Sequence, residues 1–309
     1  MSLQVGAATT QFPTQAAEAP PPQATALDVP PAAATGAYAP EPSYHPQLAS
    51  LLASPSNAAL PGVRGQDPQS IDIDLLQLNK DLYFDGGQGI SGWTPLSDAE
   101  LIAAGIDPAS LVDPSTGLQA AIYRGADGRH ALVFAGSNDL QDWITNARQG
   151  LGFDDEQYDQ AVALAQKASV AFGDGLVISG ASLGGGLAAT AALATDTPAV
   201  IFNAAGVHDN TLERLGLDPD TARADAGAGL IRRYSIDGEI LTGLQEETFG
   251  VSAVMPDAVG HHIVLDDPAP LSWWQKLIPG AELKHSIDLH ADPELLEAVT
   301  GQMEELVGG

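Results

Sequence analysis

The spacing of apolar residues predicts helices and strands over most of the chain. Apolar side chains recur at helical spacing over residues 71–81, which predicts a helix. Two short apolar runs, 120–124 and 130–134, are separated by the turn-forming residues 125–128. Two such runs on either side of a glycine-containing turn predict a β-hairpin.

Over the rest of the chain, segments whose apolar residues have helical spacing alternate with short apolar segments typical of strands. Further helices are predicted over 154–172, 185–194 and 293–307, and further strands over 175–179, 199–203, 231–236 and 263–265. Buried strands that alternate with helices are typical of a mainly parallel sheet with helices on both faces. The pattern therefore predicts an α/β fold.

The N-terminal segment, residues 1–66, differs from the rest in composition. It contains 11 of the 22 prolines, among Ala, Ser, Thr and Gln, with few charged residues. Such a segment buries too little apolar surface to offset the entropy of ordering, so we predict that it is disordered. Two interpretations stay open: a passive tail, or an export signal that a dedicated bacterial secretion system reads. Residues 67–309 are predicted to form one globular domain.

Charge and cysteine content exclude several classes of function. The chain has 12 Lys and Arg against 40 Asp and Glu, a formal net charge of −28. Such a surface repels phosphate backbones, so we expect no nucleic-acid partner, and any contact with a lipid surface has to be apolar. Without cysteine the chain has no disulfide, thiolate metal site or cysteine nucleophile. No secretory signal peptide or membrane span is visible, so we expect a soluble protein, either exported by a dedicated system or cytoplasmic.

A serine motif provides the strongest functional signal. Residues 180–184 read Gly-Ala-Ser-Leu-Gly and lie between a predicted strand and a predicted helix. In that setting G-x-S-x-G is the nucleophile elbow of an α/β-hydrolase, with Ser182 as the nucleophile. The turn strains the serine backbone and brings neighbouring segments close, which requires glycine two residues to either side. The alternative is an ordinary tight turn.

The sequence around this motif resembles class 3 (fungal-type) lipases and their bacterial phospholipase-like relatives. The likeness is firm over residues 180–188 and weaker over the strand end 134–137, over Asp142, Trp143 and Asn146, and over 150–163. Two departures are visible: Ala181 stands where His is commoner, and Ser137 replaces the usual Thr but keeps the hydroxyl. The resemblance implies an α/β-hydrolase fold and a Ser–Asp/Glu–His triad that acts on lipid esters without a cofactor or metal.

Acyl transfer also needs two hydrogen-bond donors for the oxyanion. One is expected to be the backbone N–H of Leu183, the residue after the nucleophile. The family resemblance implies Ser137 as the other donor, through its N–H and its hydroxyl. Its position after a buried strand agrees with that role, although an ordinary strand-ending turn is the alternative.

The acid and the base are expected to follow the serine in the order Asp/Glu, then His. Asp237 directly follows the strand 231–236, at the carboxyl end where a triad acid belongs, and this segment resembles the acid-bearing strand of the family. We therefore predict Asp237 as the acid. Glu239 is the competitor, and Asp257 is a more remote one.

Four histidines follow the predicted acid. His285 opens a His-Ser-Ile-Asp segment that resembles the His-Ser-Met-Asp segment of the bacterial relatives, and we predict it as the base in a loop before the terminal helix. His261 and His262 precede a strand, where structural roles are as common. His290 is the remaining alternative, and it has the simpler interpretation of a cap on the last helix.

The substrate class is predicted from the resemblance and from two adjacent tryptophans. Trp273 and Trp274 lie between the predicted acid and base, and on one helix they could not both face the core. One interpretation is a lipid-contacting lip beside the site, and the other is core packing. We predict a lipase or phospholipase. If residues 1–66 are an export signal, the predicted enzyme is a bacterial effector that attacks the membranes of another cell. The alternatives are an esterase or thioesterase for soluble acyl compounds, and a non-catalytic binding module.

Overall fold

A central β-sheet organises the structure, a computed structural model that describes residues 62–136, 155–242 and 256–308. Most of the predicted disordered segment (1–66) lies outside these ranges, so its interpretations stay predictions. The strands are β1 Trp93–Pro95, β2 Val112–Asp113, β3 Leu118–Gly125, β4 His130–Phe134, β5 Leu176–Ala181, β6 Ala199–Phe202, β7 Ile231–Ile236 and β8 His261–Leu265. The α-helices are α1 Ser70–Lys80, α2 Asp98–Ala103, α3 Asp155–Phe172, α4 Leu183–Thr195, α5 Asp209–Arg214, α6 Pro219–Asp225, α7 Ile240–Thr242, α8 Ala281–Ala291 and α9 Pro293–Gly308.

The sheet is parallel over most of its width. Its strand order is β1-β3-β4-β5-β6-β7-β8, and β2 pairs only with β3. β4 through β8 run parallel, whereas β3 and β4 form an antiparallel hairpin with Ala120 opposite Phe134. The predicted hairpin and the predicted mainly parallel sheet are therefore confirmed. In a sheet of this kind, functional residues collect at the carboxyl ends of the strands.

Both faces of the sheet are covered because side chains alternate between them along each strand. In β4, Leu132 and Phe134 pack beneath α3 and α4, while Ala131 and Val133 pack on the opposite face with α1 and α9. These strands are buried on both faces, which explains why they read as continuous apolar runs. The two helical layers predicted from the sequence are confirmed.

A buried ion pair fixes α1 to the sheet. Arg232 of β7 donates from Nε and Nη2 to the two carboxylate oxygens of Asp72, at 2.8 and 2.6 Å. The Tyr234 hydroxyl donates to the same carboxylate at 2.7 Å. Both charged side chains are almost completely buried, so their attraction is screened little by water. The contact orients α1, whose later residues line the site described below.

Two elements differ from their prediction. The segment 281–291, predicted as a loop, is the helix α8. Its apolar periodicity is weak because its first turns are exposed to solvent, so the pattern did not reveal it. The tryptophans lie in a turn before the short 3₁₀ helix Gln275–Leu277 and not in a longer helix. No helix within the three described ranges has the length and apolarity that a bilayer span requires.

Candidate active site

The predicted nucleophile elbow lies at the carboxyl end of β5. Ser182 joins β5 to α4 with φ 55° and ψ −127°, a combination that residues with a side chain rarely adopt. Its N–H donates to the Phe202 carbonyl at 3.1 Å, and its carbonyl accepts the Ala205 N–H at 2.9 Å. The surrounding backbone therefore holds the serine in a strained conformation, a feature that concentrates at functional sites.

The two motif glycines are required by close backbone approach. A Cβ on Gly180 would lie 2.0 Å from the carbonyl oxygen of Gly184. A Cβ on Gly184 would lie 2.2 Å from the carbonyl oxygen of Phe134. Any side chain at either position would push β5, α4 and β4 apart, so the G-x-S-x-G pattern has a steric cause here.

An open cavity lies over the elbow. Its walls come from α1 and the turn after it, from the ends of β4, β5 and β6, and from α8 and α9. It is lined by Leu76, Asn79, Lys80, Tyr83, Phe84, Ala135, Gly136, Ala181, Ser182, Phe202, Asn203, His290 and Leu296. Most of these side chains are apolar or aromatic, which is the lining that a hydrocarbon ligand prefers.

Two reactive atoms in this cavity have no hydrogen-bond partner. Ser182 Oγ and His290 Nε2 are both buried, and neither bonds to any of the described residues. Buried polar atoms are nearly always paired, so an unpaired serine hydroxyl and an unpaired imidazole nitrogen in one cavity call for an explanation. In an empty site the serine–histidine hydrogen bond is often long and shortens only when substrate binds.

The other ring nitrogen of His290 binds a buried carboxylate. Nδ1 lies 2.5 Å from Oε2 of Glu239, and both side chains are almost fully buried. Glu239 also accepts the backbone N–H groups of Leu241 at 2.9 Å and Thr242 at 2.5 Å. These contacts fix the imidazole ring relative to the turn that follows β7.

The charge state of Glu239 determines which nitrogen of His290 carries the proton. Burial raises the pKa of Glu239, but the His290 charge and the hydrogen bonds from His290 and Thr242 lower it more, so the net shift is downward. An ionised carboxylate only accepts hydrogen bonds, and therefore Nδ1 carries the proton. In the neutral imidazole Nε2 then has a free lone pair, as a general base requires.

The residues predicted as acid and base lie elsewhere. Asp237 is exposed, and its N–H donates to the Leu265 carbonyl at 2.8 Å. His285 binds Asp267 through Nε2 at 2.7 Å. Five residues of helix separate His285 from His290, a rotation of about 140°, so the two side chains leave α8 on different sides. Neither Asp237 nor His285 is among the residues that line the cavity.

Some of the alternative acids and bases also lie away from the cavity. His262 Nε2 lies 2.7 Å from Ser235 Oγ, between β7 and β8, and does not line the cavity. Asp257 is exposed. Of the candidates left open by the sequence, His290 shares the cavity with Ser182, and Glu239 contacts His290.

Of the two predicted oxyanion donors, the structure describes Leu183 but not Ser137. Leu183 is the first residue of α4, where backbone N–H groups have no partner within the helix. Ser137 lies outside the described residues. Gly136, which precedes it, lines the cavity, and a Cβ on Gly136 would lie 3.2 Å from the Ser182 Cβ.

Sequence reasoning missed Asn203. This residue follows β6 with a φ of 42°, and its Oδ1 accepts the Ile236 N–H at 3.1 Å. Its Nδ2 donates to the Leu289 carbonyl at 3.4 Å, next to His290. It thereby connects the ends of β6 and β7 to α8. The available signal was an asparagine at the carboxyl end of a buried strand, because asparagine tolerates left-handed backbone better than most residues.

The architecture and the elbow together define the class of protein. A strained serine between a strand and a helix, at the carboxyl edge of a mainly parallel sheet, is the arrangement of the α/β-hydrolases. The sequence model of the Tle-like phospholipase domain matches residues 75–268. Over 251 residues the chain is 51% identical to the extracellular phospholipase A1 of Serratia liquefaciens. This alignment covers 81% of the chain and 77% of the Serratia protein.

The chain therefore belongs to the Tle-like phospholipase family. It is an ester hydrolase of the phospholipase-like kind, as the sequence predicted. The narrower likeness to class 3 lipases stays a prediction.

Proposed function

We propose that the chain hydrolyses a carboxylic ester of phospholipids with the triad Ser182, His290 and Glu239. The observation that carries this proposal is the pair of unbonded, buried atoms in one cavity, Ser182 Oγ and His290 Nε2. The Glu239 carboxylate on the far side of the imidazole supplies the orientation that such a base needs. The proposal replaces Asp237 with Glu239 and His285 with His290.

The acylation step follows from this arrangement. His290 Nε2 takes the proton of the Ser182 hydroxyl while Oγ attacks the ester carbonyl carbon. Glu239 stabilises the imidazolium that forms, and the N–H of Leu183 donates to the oxyanion. We retain Ser137 as the second donor. When the tetrahedral intermediate collapses, His290 returns the proton to the departing lysophospholipid alcohol, and the acyl group stays on Ser182.

Water then completes the cycle. His290 Nε2 takes a proton from a water molecule, whose oxygen attacks the acyl carbon and forms a second tetrahedral intermediate. Its collapse releases a fatty acid and returns the proton to Ser182. The residues of the chain supply all the proton transfers of both steps.

The substrate assignment combines the cavity lining with the relative. A cavity wall of Leu, Phe, Tyr and Ala side chains suits an acyl chain better than a polar acyl group. The Serratia protein is named a phospholipase A1. We therefore propose the sn-1 ester of a glycerophospholipid as the bond that is cleaved.

Phosphatidylcholine that carries different fatty acids at sn-1 and sn-2 tests this function. We expect release of the sn-1 fatty acid together with a lysophospholipid that keeps the sn-2 chain, measured by mass spectrometry. The same incubation with Ser182→Ala is the control and should release neither product. Release of the sn-2 fatty acid first would contradict the positional assignment. Turnover of soluble esters alone would instead favour the esterase or thioesterase function.

We further propose that a tryptophan loop, residues 267–280 before α8, contacts the lipid surface. Trp273 and Trp274 are 77% and 54% exposed, so neither packs in the core. Leu277 and Ile278 of the same loop are exposed as well. A group of large exposed apolar residues marks an interaction surface. The net charge of −28 leaves apolar insertion as the way to bind a membrane.

The loop is held at its base and leads to the site. The His285–Asp267 contact closes it at 2.7 Å, and Gln302 of α9 holds Asp266 through two hydrogen bonds of 2.9 and 3.0 Å. Leu283 on the first turn of α8 is exposed, whereas His290 on the last turn is buried at the cavity. The seven-residue advance from Leu283 to His290 spans about 10 Å of helix. Insertion of the loop would therefore bring the cavity close to the lipid surface.

Replacing both tryptophans with serine is expected to weaken binding to phosphatidylcholine vesicles by about tenfold or more, since each indole buries a large apolar surface. Hydrolysis of a soluble ester should stay within about twofold of wild type. Vesicle sedimentation and initial rates measure the two effects. The matched control is Val170→Ser, which removes an exposed apolar side chain from α3 on the other face of the sheet. Equal losses on vesicles and on soluble ester would contradict the role.

A further inference from the structure

A third polar atom in the cavity lining has no hydrogen-bond partner among the described residues. It is Oδ1 of Asn79, on the last turn of α1, and this residue is only 6% exposed. Asn79 lines the same cavity as Ser182 and His290. Because buried acceptors are nearly always bonded, an unbonded amide oxygen in one cavity with the nucleophile and the base indicates a donor that the reaction brings to it.

The partners of Asn79 fix which end of its amide is the oxygen. Nδ2 donates to the Leu75 carbonyl at 2.8 Å and to Ser179 Oγ at 2.7 Å. The Ser179 hydroxyl donates its own hydrogen to the Val200 carbonyl, so it can only accept from Asn79. Exchange of the amide nitrogen and oxygen would therefore break both bonds. The contact also holds Asn79 over β5, the strand that ends at the elbow.

The water of the second step is the reactant that can donate to this oxygen. The ester groups and glycerol carbons of a diacyl phospholipid carry only acceptor oxygens and C–H groups. A water molecule that attacks the acyl-enzyme has two O–H groups, of which His290 takes one proton. The other O–H needs an acceptor in a mainly apolar cavity. Asn203, a second amide in the lining, already bonds through both of its polar atoms.

We propose that Asn79 Oδ1 accepts a hydrogen bond from the water molecule that hydrolyses the acyl-enzyme on Ser182. His290 Nε2 removes one proton of this water while its oxygen attacks the acyl carbon, and the remaining O–H stays donated to Oδ1. The bond between the acyl carbon and Ser182 Oγ then breaks, the proton on His290 returns to Oγ, and the fatty acid leaves with the new hydroxyl. This inference rests on the proposed function, because it assumes an acyl group on Ser182, and it assigns Asn79 to deacylation.

Methanol distinguishes this role from a structural one. Its hydroxyl has a single hydrogen, which His290 removes, so methanol has no second O–H for Asn79. Loss of the amide should therefore slow attack by water more than attack by methanol. The measured quantity is the ratio of methyl butyrate to butyrate formed from p-nitrophenyl butyrate in aqueous methanol. A general disturbance of the triad slows both reactions alike and leaves this ratio unchanged.

Asn79→Leu is expected to raise the ratio by about fivefold, as loss of one neutral hydrogen bond implies. Asn79→Ala should give the same shift, and it keeps the test valid if leucine prevents folding. It also excludes an apolar contact of the leucine with methanol as the cause, since alanine adds no such contact.

Ser179→Ala is the matched control, because it removes one contact of Nδ2 while Oδ1 and the bond to Leu75 stay in place. It should leave the ratio unchanged. An unchanged ratio in a folded Asn79→Ala variant would overturn the proposal, and so would an equal rise in Ser179→Ala, which would assign the effect to the packing of α1 on β5. If the wild type formed neither butyrate nor methyl butyrate, the proposed function itself would be contradicted.

Discussion

Replacing Ser182 with alanine is expected to lower kcat for ester hydrolysis by more than about a thousandfold, the loss that follows removal of a triad nucleophile. The substitution removes one oxygen atom that has no hydrogen-bond partner among the described residues. Folding should therefore be unaffected. Initial rates on p-nitrophenyl butyrate measure the loss, and the thermal unfolding midpoint checks the fold.

Ser179→Ala is the control for this experiment. Ser179 lies on the same strand, three residues earlier, and its hydroxyl donates to the Val200 carbonyl and accepts from Asn79 Nδ2, both at 2.7 Å. Its loss removes two buried hydrogen bonds and should lower stability by about 1–3 kcal/mol, while Asn79 keeps its bond to the Leu75 carbonyl and turnover stays largely unchanged. A fluorophosphonate probe should label wild type and Ser179→Ala but not Ser182→Ala. Activity of Ser182→Ala above about a thousandth of wild type would exclude this serine as the nucleophile.

Replacing His290 with alanine should lower kcat nearly as far as Ser182→Ala, because members of a triad act as a unit. For the same reason, the Ser182→Ala/His290→Ala double variant should be scarcely slower than either single variant. His285→Ala serves as the control on the same helix. Its imidazole binds Asp267 instead of facing the cavity, so its loss should leave turnover of a soluble ester largely unchanged.

The outcome of this comparison distinguishes the two assignments. An inactive His285→Ala and an active His290→Ala would restore the base that the sequence favoured. The acid is tested in the same assay with Glu239→Gln and Asp237→Asn. The first should lose orders of magnitude in kcat, because a neutral amide no longer holds the imidazole in its required tautomer. The second alters an exposed side chain and should retain most activity.

Local sequence was sufficient to predict the elements whose structure depends on local geometry. The hairpin 120–134 was predictable because two short apolar runs flank a turn with its own chemical signature. The elbow was predictable because Gly180 and Gly184 allow contacts that no side chain permits, and because a strand precedes Ser182 and a helix follows it. Membership of a phospholipase-like family followed from the same residues.

The sequence by itself therefore determined the class of fold and the kind of chemistry, and it predicted Ser182 as the nucleophile. Tertiary structure decided which candidate base shares a cavity with Ser182 and which carboxylate contacts that base, and the proposed triad rests on this placement. Asp237 and Glu239 are two residues apart in one turn, but Asp237 is exposed, whereas Glu239 is buried and contacts His290 of α8. His285 and His290 lie on one helix, and the direction in which each side chain points depends on how α8 packs against the ends of β6 and β7. Such long-range packing is absent from local apolar periodicity, which reports only the faces of single elements.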